Sequence, residues 1–413
     1  MTFIYNIGIN IAGFVLRCVA PLNEKIKQGV EGRKTAFKTL NKFLNQNDKT
    51  LWFHCASLGE YEQGLPVFKI LREHYSNHKI VLTFFSPSGY EVRKNSPIAD
   101  IVTYLPIDTK TNAKHFINLL RPELTIFVKY DIWPNYLNEI KQHDLRAILI
   151  SAAFRKNQVY FKTWGKPLRN ALFAFEHIFT QNKASKQLLE SINYNKVTVS
   201  GDTRFDRVSS QLELNNHLPF VENFKNNHLC VVIGSSWPED EALLTEYINK
   251  EAPSHVKFIL APHDIKPSHI KTIEERLTVT KVLFTKKEGV QLSNKNVFII
   301  DTIGILTKIY NYADIAYVGG AMGKTGLHNT LEPAVFGVPV IIGRNYDKFP
   351  EAKDLIANGG TFSVSNQKEL NQILNELIKN KKKRHQTGLA NLKFIEKNKG
   401  AVIQILDYLR ISK

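Results

Sequence analysis

The sequence ADIAYVGGAMGKTGLHNTLEPAVFGVPVIIG, residues 313–343, decides the fold of the second half of this chain. Its two apolar runs, 315–318 and 338–342, are each closed by glycine, as is typical of buried strands. Residues 328–334 predict the first turn of a helix. Between the first run and this turn lie four glycines, Gly319, Gly320, Gly323 and Gly326. Glycine permits close approach of the backbone to a ligand, and the amides at a strand-to-helix turn can bind a phosphate. The alternative interpretation is an ordinary turn that binds nothing.

Three further features of the second half favour a nucleotide. Glu332 follows the glycines by about one helical turn, where a carboxylate can accept hydrogen bonds from ribose hydroxyls. Ser235 and Ser236 end another predicted strand, and a capping box of Ser236 with Glu239 is expected to start the next helix. Pro262 and His263 follow the next strand, with backbone groups that could face a nucleobase, although a lone histidine is more often a surface residue.

Apolar strands alternate with amphipathic helices from residue 51 onward, which predicts a parallel α/β architecture. We expect two doubly wound, Rossmann-like domains that face each other across a cleft, with ligands beyond the carboxyl ends of the strands. The predicted strands are 51–55, 80–85, 101–105, 124–128, 147–150, 177–180, 197–199, 229–233, 258–261, 282–284, 297–300, 315–318 and 338–342. The predicted domains are a membrane-associated helix 1–22, an N-terminal domain 23–208, a linker 209–226, a C-terminal domain 227–395 and a C-terminal helix 396–413 that packs back toward the N-terminal domain.

The composition describes a folded protein with an anionic partner. A chain of 413 residues is too long for a single hydrophobic core and fits two domains. Its contents of 43% hydrophobic and 23% charged residues are ordinary for a globular protein. A formal charge of +17 indicates nucleic acid, a membrane surface or a phosphorylated substrate, or simply a solvated basic surface. The three cysteines are far apart and lack metal spacing, which favours a reducing compartment.

Residues 3–20, FIYNIGINIAGFVLRCVA, are the stretch suited to a bilayer. On a helix the polar or small residues form one stripe opposite the apolar side chains, so we prefer an amphipathic helix in the membrane interface. A spanning anchor and a buried helix remain open, whereas the lack of a preceding cation and of a clean cleavage site disfavours a signal peptide. The stripe consists of Asn6, Asn10, Gly13 and Arg17, and the cations that follow, expected to bind anionic headgroups, are Lys25, Lys27, Arg33, Lys34, Lys38 and Lys42.

Three loops after strands of the first half carry candidate site residues. Glu60 enters a helix directly after the first strand, where the helix dipole favours the ionised carboxylate that a general base needs, although first-turn acids are also common structural residues. Trp133 could stack on a sugar, although a core role is the commoner one. His54 and Cys55 are interpreted as strand residues, since nothing supplies a third catalytic member. The other candidates are Ser57, Gly59, Ser86, Ser88, Gly89, Asp131 and Asn135.

Taken in order, Ser57-Leu-Gly-Glu60, Trp133-Pro-Asn135, Gly234-Ser-Ser236, the pair Gly319-Gly320, His328-Asn329 and Leu331-Glu-Pro-Ala334 resemble the 3-deoxy-D-manno-octulosonic acid (Kdo) transferases of lipopolysaccharide assembly. The resemblance covers about residues 51–360 and the N-terminal helix, and it implies a GT-B glycosyltransferase fold. It implies that Glu60 deprotonates the 6′-hydroxyl of the lipid A precursor, with the other first-half candidates binding this acceptor. It also assigns a donor site for CMP-Kdo to Ser235, Ser236, Pro262, His263, Gly319, Gly320, Gly323, Lys324, His328, Asn329 and Glu332.

The sequence departs from the family pattern at several positions. Lys129 and Asp131 stand where the family usually has two acids before Trp-Pro-Asn, and His263 stands at its usual arginine. Leu327 interrupts the glycine pair before His-Asn, and an arginine expected near residues 151–153 is shifted to Arg155 or absent. These changes affect donor and acceptor details more than the class of reaction, and they indicate a divergent branch.

The expected reaction is therefore inverting transfer of Kdo without a metal or other cofactor, the charge of the departing phosphate being offset by amides of residues 320–329 and by Lys324. The expected location is the cytoplasmic face of the inner membrane, with anionic headgroups and the lipid A precursor as partners. One alternative is a membrane-associated GT-B enzyme with a UDP-sugar donor, which CMP and UDP protection would distinguish. Binding of nucleic acid is not expected, because aromatic residues do not alternate with cations in one tract.

Overall fold

The computed structural model describes residues 2–411, which form two compact units. One unit comprises residues 2–207 together with 399–411, and the other comprises residues 208–398. Residue 1 of the predicted membrane helix and residues 412 and 413 of the predicted C-terminal helix lie outside the described residues.

Each unit contains a seven-stranded, all-parallel sheet. The strands of the first unit are β1 (Thr50–Cys55), β2 (Lys79–Phe84), β3 (Ile101–Tyr104), β4 (Leu124–Val128), β5 (Ala147–Ala152), β6 (His177–Thr180) and β7 (Val197–Val199). Those of the second are β8 (Leu229–Ser236), β9 (Val256–Pro262), β10 (Lys281–Leu283), β11 (Val297–Ile299), β12 (Ile315–Val318), β13 (Val340–Gly343) and β14 (Thr361–Val364).

The strand orders are β3-β2-β1-β4-β5-β6-β7 and β10-β11-β9-β8-β12-β13-β14. In the first sheet the chain runs outward from β1 to β3 and then returns to the other side of β1. In the second sheet it places β9, β10 and β11 on one side of β8, with β10 at the edge and β11 between β9 and β10, and then returns to the other side, so both sheets are doubly wound. This confirms the predicted α/β class. Ligands of such sheets bind beyond the carboxyl ends of the strands beside this reversal. The loops after β1, β4, β8 and β12 are therefore where ligand-binding residues are expected.

Helices connect the strands. Those before β8 are α1 (Thr2–Val19), α2 (Glu24–Phe43), α3 (Leu58–His74), α4 (Pro87–Arg93), α5 (Lys110–Leu120), α6 (Pro134–Gln142), α7 (Lys166–Leu172), α8 (Lys183–Glu190), α9 (Thr203–Ser210) and α10 (Pro219–Lys225). Those after it are α11 (Pro238–Lys250), α12 (Pro267–Arg276), α13 (Leu306–Ile309), α14 (Leu331–Ala334), α15 (Pro350–Ala357), α16 (Gln367–Lys379), α17 (Lys381–Asn398) and α18 (Ala401–Leu409).

Apolar side chains on both faces of the sheets explain why these strands read as continuous hydrophobic runs. Every residue of β1 and β4 is buried, because helices cover both faces of the first sheet. The C-terminal helix α18 belongs to this core, where Val402 and Ile405 pack in the same cluster as Leu51 and Phe53. Asp206 fixes the start of α18 by accepting hydrogen bonds from the amides of residues 400 and 401 at 2.8 and 3.1 Å.

Some local elements differ from the sequence predictions. All thirteen predicted strands are present, but β14 was not predicted, because this four-residue edge strand carries two half-buried residues and little apolar signal. The segment 209–226, interpreted as a linker, contains α10 with buried Val221 and Phe224. The capping box predicted for Ser236 and Glu239 is displaced by one residue, since Trp237 is the N-cap of α11 and Asp240 accepts its amide hydrogen.

The N-terminal helix α1 is joined to the rest of the first unit by Tyr5 and Asn6. The Asn135 amide donates to the Asn6 side chain at 2.8 Å, and the Tyr5 hydroxyl donates to Asp108 at 2.7 Å. Other side chains of α1 are exposed, among them Phe3, Ile4, Ile7 and Ile11. In the described part of the chain, Phe3–Leu22 is long and apolar enough to cross a membrane by length and composition alone. The helix thus presents an uncovered apolar face.

Candidate active site

Glu60 lies in the first turn of α3, directly after β1, as predicted from the sequence. Ser57 is the N-cap of this helix and accepts a hydrogen bond from the Gly59 amide at 3.2 Å. The Ser57 hydroxyl also donates to one carboxylate oxygen of Glu60. Because this serine holds one oxygen and the helix end favours negative charge, the carboxylate is oriented and suited to accept a proton from a bound hydroxyl.

Lys129 supplies the second partner of Glu60. Its ammonium nitrogen lies 3.6 Å from Glu60 Oε1, on the loop that follows β4. The lysine backbone is left-handed, with φ of 71°, and its amide donates to the Ile150 carbonyl at 2.8 Å. The sequence marked Lys129 as a departure from the family pattern, not as a site residue. Its positive charge directly after a predicted strand, two positions before Asp131, was the available signal.

Asp131 and Trp133 meet around His54, a strand residue that was not predicted to belong to the site. The Asp131 carboxylate lies 2.5 Å from His54 Nε2 and accepts a hydrogen bond from the Trp133 indole at 2.9 Å. The other ring nitrogen of His54 lies 2.8 Å from the Thr83 hydroxyl. His54 is fully buried in β1, so it acts by fixing the orientation of Asp131 and Trp133.

Asn135 faces the protein interior. Its side-chain amide donates to the Asp108 carbonyl at 2.5 Å and to Asn6, and only 3% of the residue is exposed. The carboxylate of Asp108 accepts the Asn135 and Tyr136 amides, both at 3.0 Å, at the start of α6. Burial raises the pKa of Asp108 to about 7, although these hydrogen bonds oppose the shift. Asn135 therefore joins α6 to α1, and Asp108, absent from the predicted site, is the centre of that junction.

The Ser86 loop lies against the Glu60 loop. The Ser86 amide donates to the Ala56 carbonyl at 2.8 Å, and its hydroxyl lies 2.8 Å from that of Ser88. A Cβ at Gly89 would stand 3.0 Å from the Leu58 amide nitrogen, so glycine is needed for this close packing. The structure thus brings the predicted residues Ser57, Ser86, Ser88 and Gly89 into two adjoining loops.

In the second unit, the glycine-rich loop is built around Asp240. This buried carboxylate accepts hydrogen bonds from the Gly320 amide at 2.8 Å, the Trp237 amide at 2.9 Å and the Tyr317 hydroxyl at 2.7 Å. Burial raises its pKa, and the hydrogen bonds oppose that shift. The Gly320 amide is therefore engaged within the protein, which corrects the expectation that it offsets phosphate charge.

The tight course of this loop explains its glycines. Gly320 has a φ of 97°, and a Cβ there would lie 2.1 Å from the Gly326 carbonyl oxygen. At Gly319 a Cβ would lie 2.4 Å from the Ser235 carbonyl oxygen, and at Gly323 it would contact the Glu239 carboxylate. The helix that follows, α14, has only four residues, so the helix-dipole contribution expected at this site is small.

Ser235 and Ser236 separate into two environments. Ser236 is buried, and its hydroxyl donates to Glu241 at 3.0 Å, which His269 also contacts at 3.0 Å. Ser235 is half-exposed and has a φ of 53°, at the irregularity between Gly234 and Ser236 in the pairing of β8 with β9. Ser235 is thus the serine available at the surface of this loop, whereas Ser236 stabilises its base.

Trp237, His263 and His328 form a row of rings after β8, β9 and β12. The indole stacks on His263 with centroids 4.6 Å apart, and His263 lies 4.6 Å from His328. Trp237 also donates its indole hydrogen to His328 Nε2 at 3.1 Å. Burial lowers the pKa of His328 to about 4 and also lowers that of His263, so both rings are neutral at pH 7. Trp237 was missed, although an aromatic after a serine pair at a strand end is a usable signal.

The remaining predicted donor residues lie around this row. Asn329 donates to the Glu332 carboxylate at 3.1 Å and accepts from the Leu331 amide at 3.1 Å, which fixes the start of α14. Pro262 is buried at the end of β9, and Lys324 is exposed. Within residues 2–411, no cluster of three or more His, Cys, Asp or Glu residues that could hold a metal ion is found.

Comparison with known proteins identifies relatives along most of the chain. Residues 31–207 match the family model described as 3-deoxy-D-manno-octulosonic-acid transferase. A 3-deoxy-D-manno-octulosonic acid transferase of Aquifex aeolicus is 29% identical over 84% of this chain and 92% of its own length. That of Haemophilus influenzae is 26% identical over 87% of this chain and 86% of its own length.

Solved structures show the same fold at low sequence identity. A UDP-GlcNAc 2-epimerase of Neisseria meningitidis, bound to UDP-GlcNAc, matches with a TM-score of 0.62 at 18% identity over 87% of this chain and 99% of that one. A glycosyltransferase of Rickettsia africae matches with a TM-score of 0.56 at 14% identity over 88% of this chain and 98% of that one. With two Rossmann-like units in this chain, these likenesses confirm the predicted GT-B class.

Proposed function

We propose that this chain, which belongs to the Kdo transferase family of glycosyltransferases, transfers Kdo from CMP-Kdo to a phosphorylated lipid A precursor. The observation that carries the proposal is Glu60, a carboxylate held by Ser57 and Lys129 at the carboxyl end of β1. Transfer of a sugar to an alcohol requires such a base, and the relation to the Kdo transferase family is the reason for taking Kdo as the sugar.

In this reaction Glu60 accepts the proton of the acceptor hydroxyl as its oxygen attacks the anomeric carbon of Kdo. The new glycosidic bond forms while the bond between Kdo and the phosphate of CMP breaks, and CMP leaves with the electron pair. Attack opposite the leaving group inverts the anomeric configuration. Ser57 and Lys129 keep the carboxylate oriented, which lowers the entropic cost of reaching the reactive geometry.

For the donor, we assign the cytosine to the neutral row of Trp237, His263 and His328, because flat uncharged rings favour stacking with a base. Glu332 is assigned to the ribose hydroxyls. The Gly320 amide already donates to Asp240, so we assign the role of offsetting the charge of the departing CMP phosphate mainly to exposed Lys324. The proposal includes no metal or other cofactor.

The membrane surface is the proposed location, on its cytoplasmic side. The uncovered apolar face of α1 would lie in the interface, and the exposed lysines of α2 would contact anionic headgroups. Arg33, which the sequence placed with these headgroup-binding cations, instead hydrogen-bonds to the Phe85 and Leu105 carbonyls.

The test is a mass-spectrometric assay of the detergent-solubilised protein with a tetraacylated lipid A precursor and CMP-Kdo generated in place. We expect a product heavier by one or more Kdo units, and protection of the protein against thermal unfolding by CMP but not by UDP. A folded protein that yields no product and is protected by UDP would refute the proposed donor.

A further inference from the structure

A cavity of about 330 Å³ lies in the first unit between α1, α2 and residues 106–112. Its volume is at the lower end of the range for small-molecule pockets, about 300–1,000 Å³. It has room for a hydrocarbon chain but not for a whole lipid. Its walls are largely apolar, with contributions from Ile9, Gly13, Phe14, Val30, Phe37 and Ile107.

The same cavity is lined by three cations, Arg17, Arg33 and Lys34, and by no acidic side chain among the described residues. Arg33 is held by hydrogen bonds to the Phe85 carbonyl at 2.5 Å and the Leu105 carbonyl at 3.2 Å. Arg17 and Lys34 are exposed at its edge. Apolar walls beside three cations suit a hydrocarbon chain that carries an anionic group.

The cavity is connected to the loops around Glu60 through Arg33. The Arg33 guanidinium lies 4.3 Å from the centre of the Phe85 ring, and that ring lies 4.8 Å from the Trp133 ring. Phe85 is followed by Ser86, whose amide donates to the carbonyl of Ala56. On its other side the cavity adjoins α1, whose apolar face is exposed. It therefore lies between the surface suited to a membrane and the catalytic loops.

We propose that this cavity binds one acyl chain of the acceptor glycolipid, with Arg17 and Lys34 contacting a phosphate of the same molecule. This inference rests on the proposed function, because it takes the acceptor to be an acylated, phosphorylated sugar. Holding one chain here would place the sugar headgroup toward Trp133 and the Ser86 loop, and it would discriminate against acceptors that lack acyl chains.

Gly13→Leu tests the proposal, because the side chain would enter the cavity, where a Cβ already meets Ile107 at an ordinary 3.7 Å. Gly8→Leu is the matched control, since a Cβ at Gly8 has no neighbour within 4 Å and both changes give α1 the same gain in helix propensity. Equilibrium binding and steady-state kinetics would be measured in detergent with the tetraacylated, bisphosphorylated disaccharide and with its fully deacylated form.

We expect Gly13→Leu to weaken binding of the acylated disaccharide and raise its KM, each roughly tenfold, with kcat nearly unchanged. The deacylated disaccharide should bind all three proteins alike, and Gly8→Leu should behave as wild type. Equal binding of the acylated disaccharide by wild type and Gly13→Leu would overturn the proposal.

A bilayer phospholipid as the occupant would give a different result. Gly13→Leu would then lose binding to phosphatidylglycerol vesicles and affect both disaccharides equally, which would also overturn the proposal. The binding measurement needs no donor. A normal preference for the acylated disaccharide without any Kdo transfer by wild type would therefore refute the proposed function and leave the acyl-chain site standing.

Discussion

After its first strand, each unit places a helix whose first turn carries a carboxylate, Glu60 after β1 and Asp240 after β8. Glu60 keeps 8% of its surface exposed and is held by a serine and a lysine side chain. Asp240 is fully buried, and its partners include the Trp237 and Gly320 amides and the Tyr317 hydroxyl. Equivalent positions in two similar sheets thus serve different purposes, because the partners decide whether the carboxylate is open to a substrate or used to shape a loop.

The largest effect is expected from Glu60→Gln, which keeps the shape of the side chain and removes its basicity. Transfer should fall by about 10²–10⁴-fold, the usual contribution of a general base. CMP should still protect the protein, since the donor residues belong to the other unit. The measurement is product formation by mass spectrometry alongside thermal unfolding with and without CMP. A parallel loss of activity and of CMP protection would contradict the assigned role.

Asp240→Asn should act mainly on the stability of the protein, in contrast to Glu60→Gln, which should act mainly on transfer activity. Both backbone amides bond to one carboxylate oxygen, which the asparagine oxygen can replace, but an NH₂ group then stands where the other oxygen accepts the Tyr317 hydroxyl, and the negative charge that strengthens these hydrogen bonds is lost. We expect a loss of roughly 2–4 kcal/mol in the free energy of unfolding, measured by urea denaturation. Glu246→Gln, on the exposed side of the same helix, is the control. Unchanged stability of Asp240→Asn would remove the contrast between the two acids.

Lys129→Met probes what makes Glu60 the reactive member of the pair. The ammonium is partly exposed, so its interaction with Glu60 is screened and contributes about 1 kcal/mol, or roughly fivefold in kcat/KM. Lys129→Arg keeps the positive charge and should retain most of the activity. Equal losses in the two variants would show that the shape of Lys129, and not its charge, matters.

His328 gives a smaller, pH-dependent effect in the second unit. Its pKa is lowered to about 4 by burial, below the ordinary value of 6.5, so the unfolded chain binds the proton more readily. The stability due to the neutral ring is therefore complete above pH 6.5 and is lost as the pH falls toward 4. His328→Gln should remove this contribution and so flatten the stability curve of the variant between pH 6.5 and 4.5, measured by denaturation of both proteins from pH 7.5 to 4.5. Parallel curves for the two proteins would refute this assignment.

Much of the architecture was predictable because its signals are local. Continuous apolar runs marked thirteen strands, and glycines and hydroxyl residues at their ends marked the loops, Glu60 among them. The buried roles of Ser236 and Asn135 were not predictable. Both residue types favour loops and caps, and only the packing of Glu241 and Asp108 against them shows that their side chains are engaged inside the protein.

The sequence by itself determined the two parallel sheets, the position of Glu60 and the glycine-rich loop, since hydrophobic periodicity, helix starts and glycine requirements act over a few neighbouring residues. Only the tertiary structure decided that Lys129 reaches Glu60, that Asp131 meets His54 and that Asp240 holds Gly320. These partners come from β1 and β4 or from β8 and β12, which become neighbours through the strand order. Contacts between side chains on adjacent strands depend on that order and on the packing of the loops, neither of which is encoded in any single stretch of the chain.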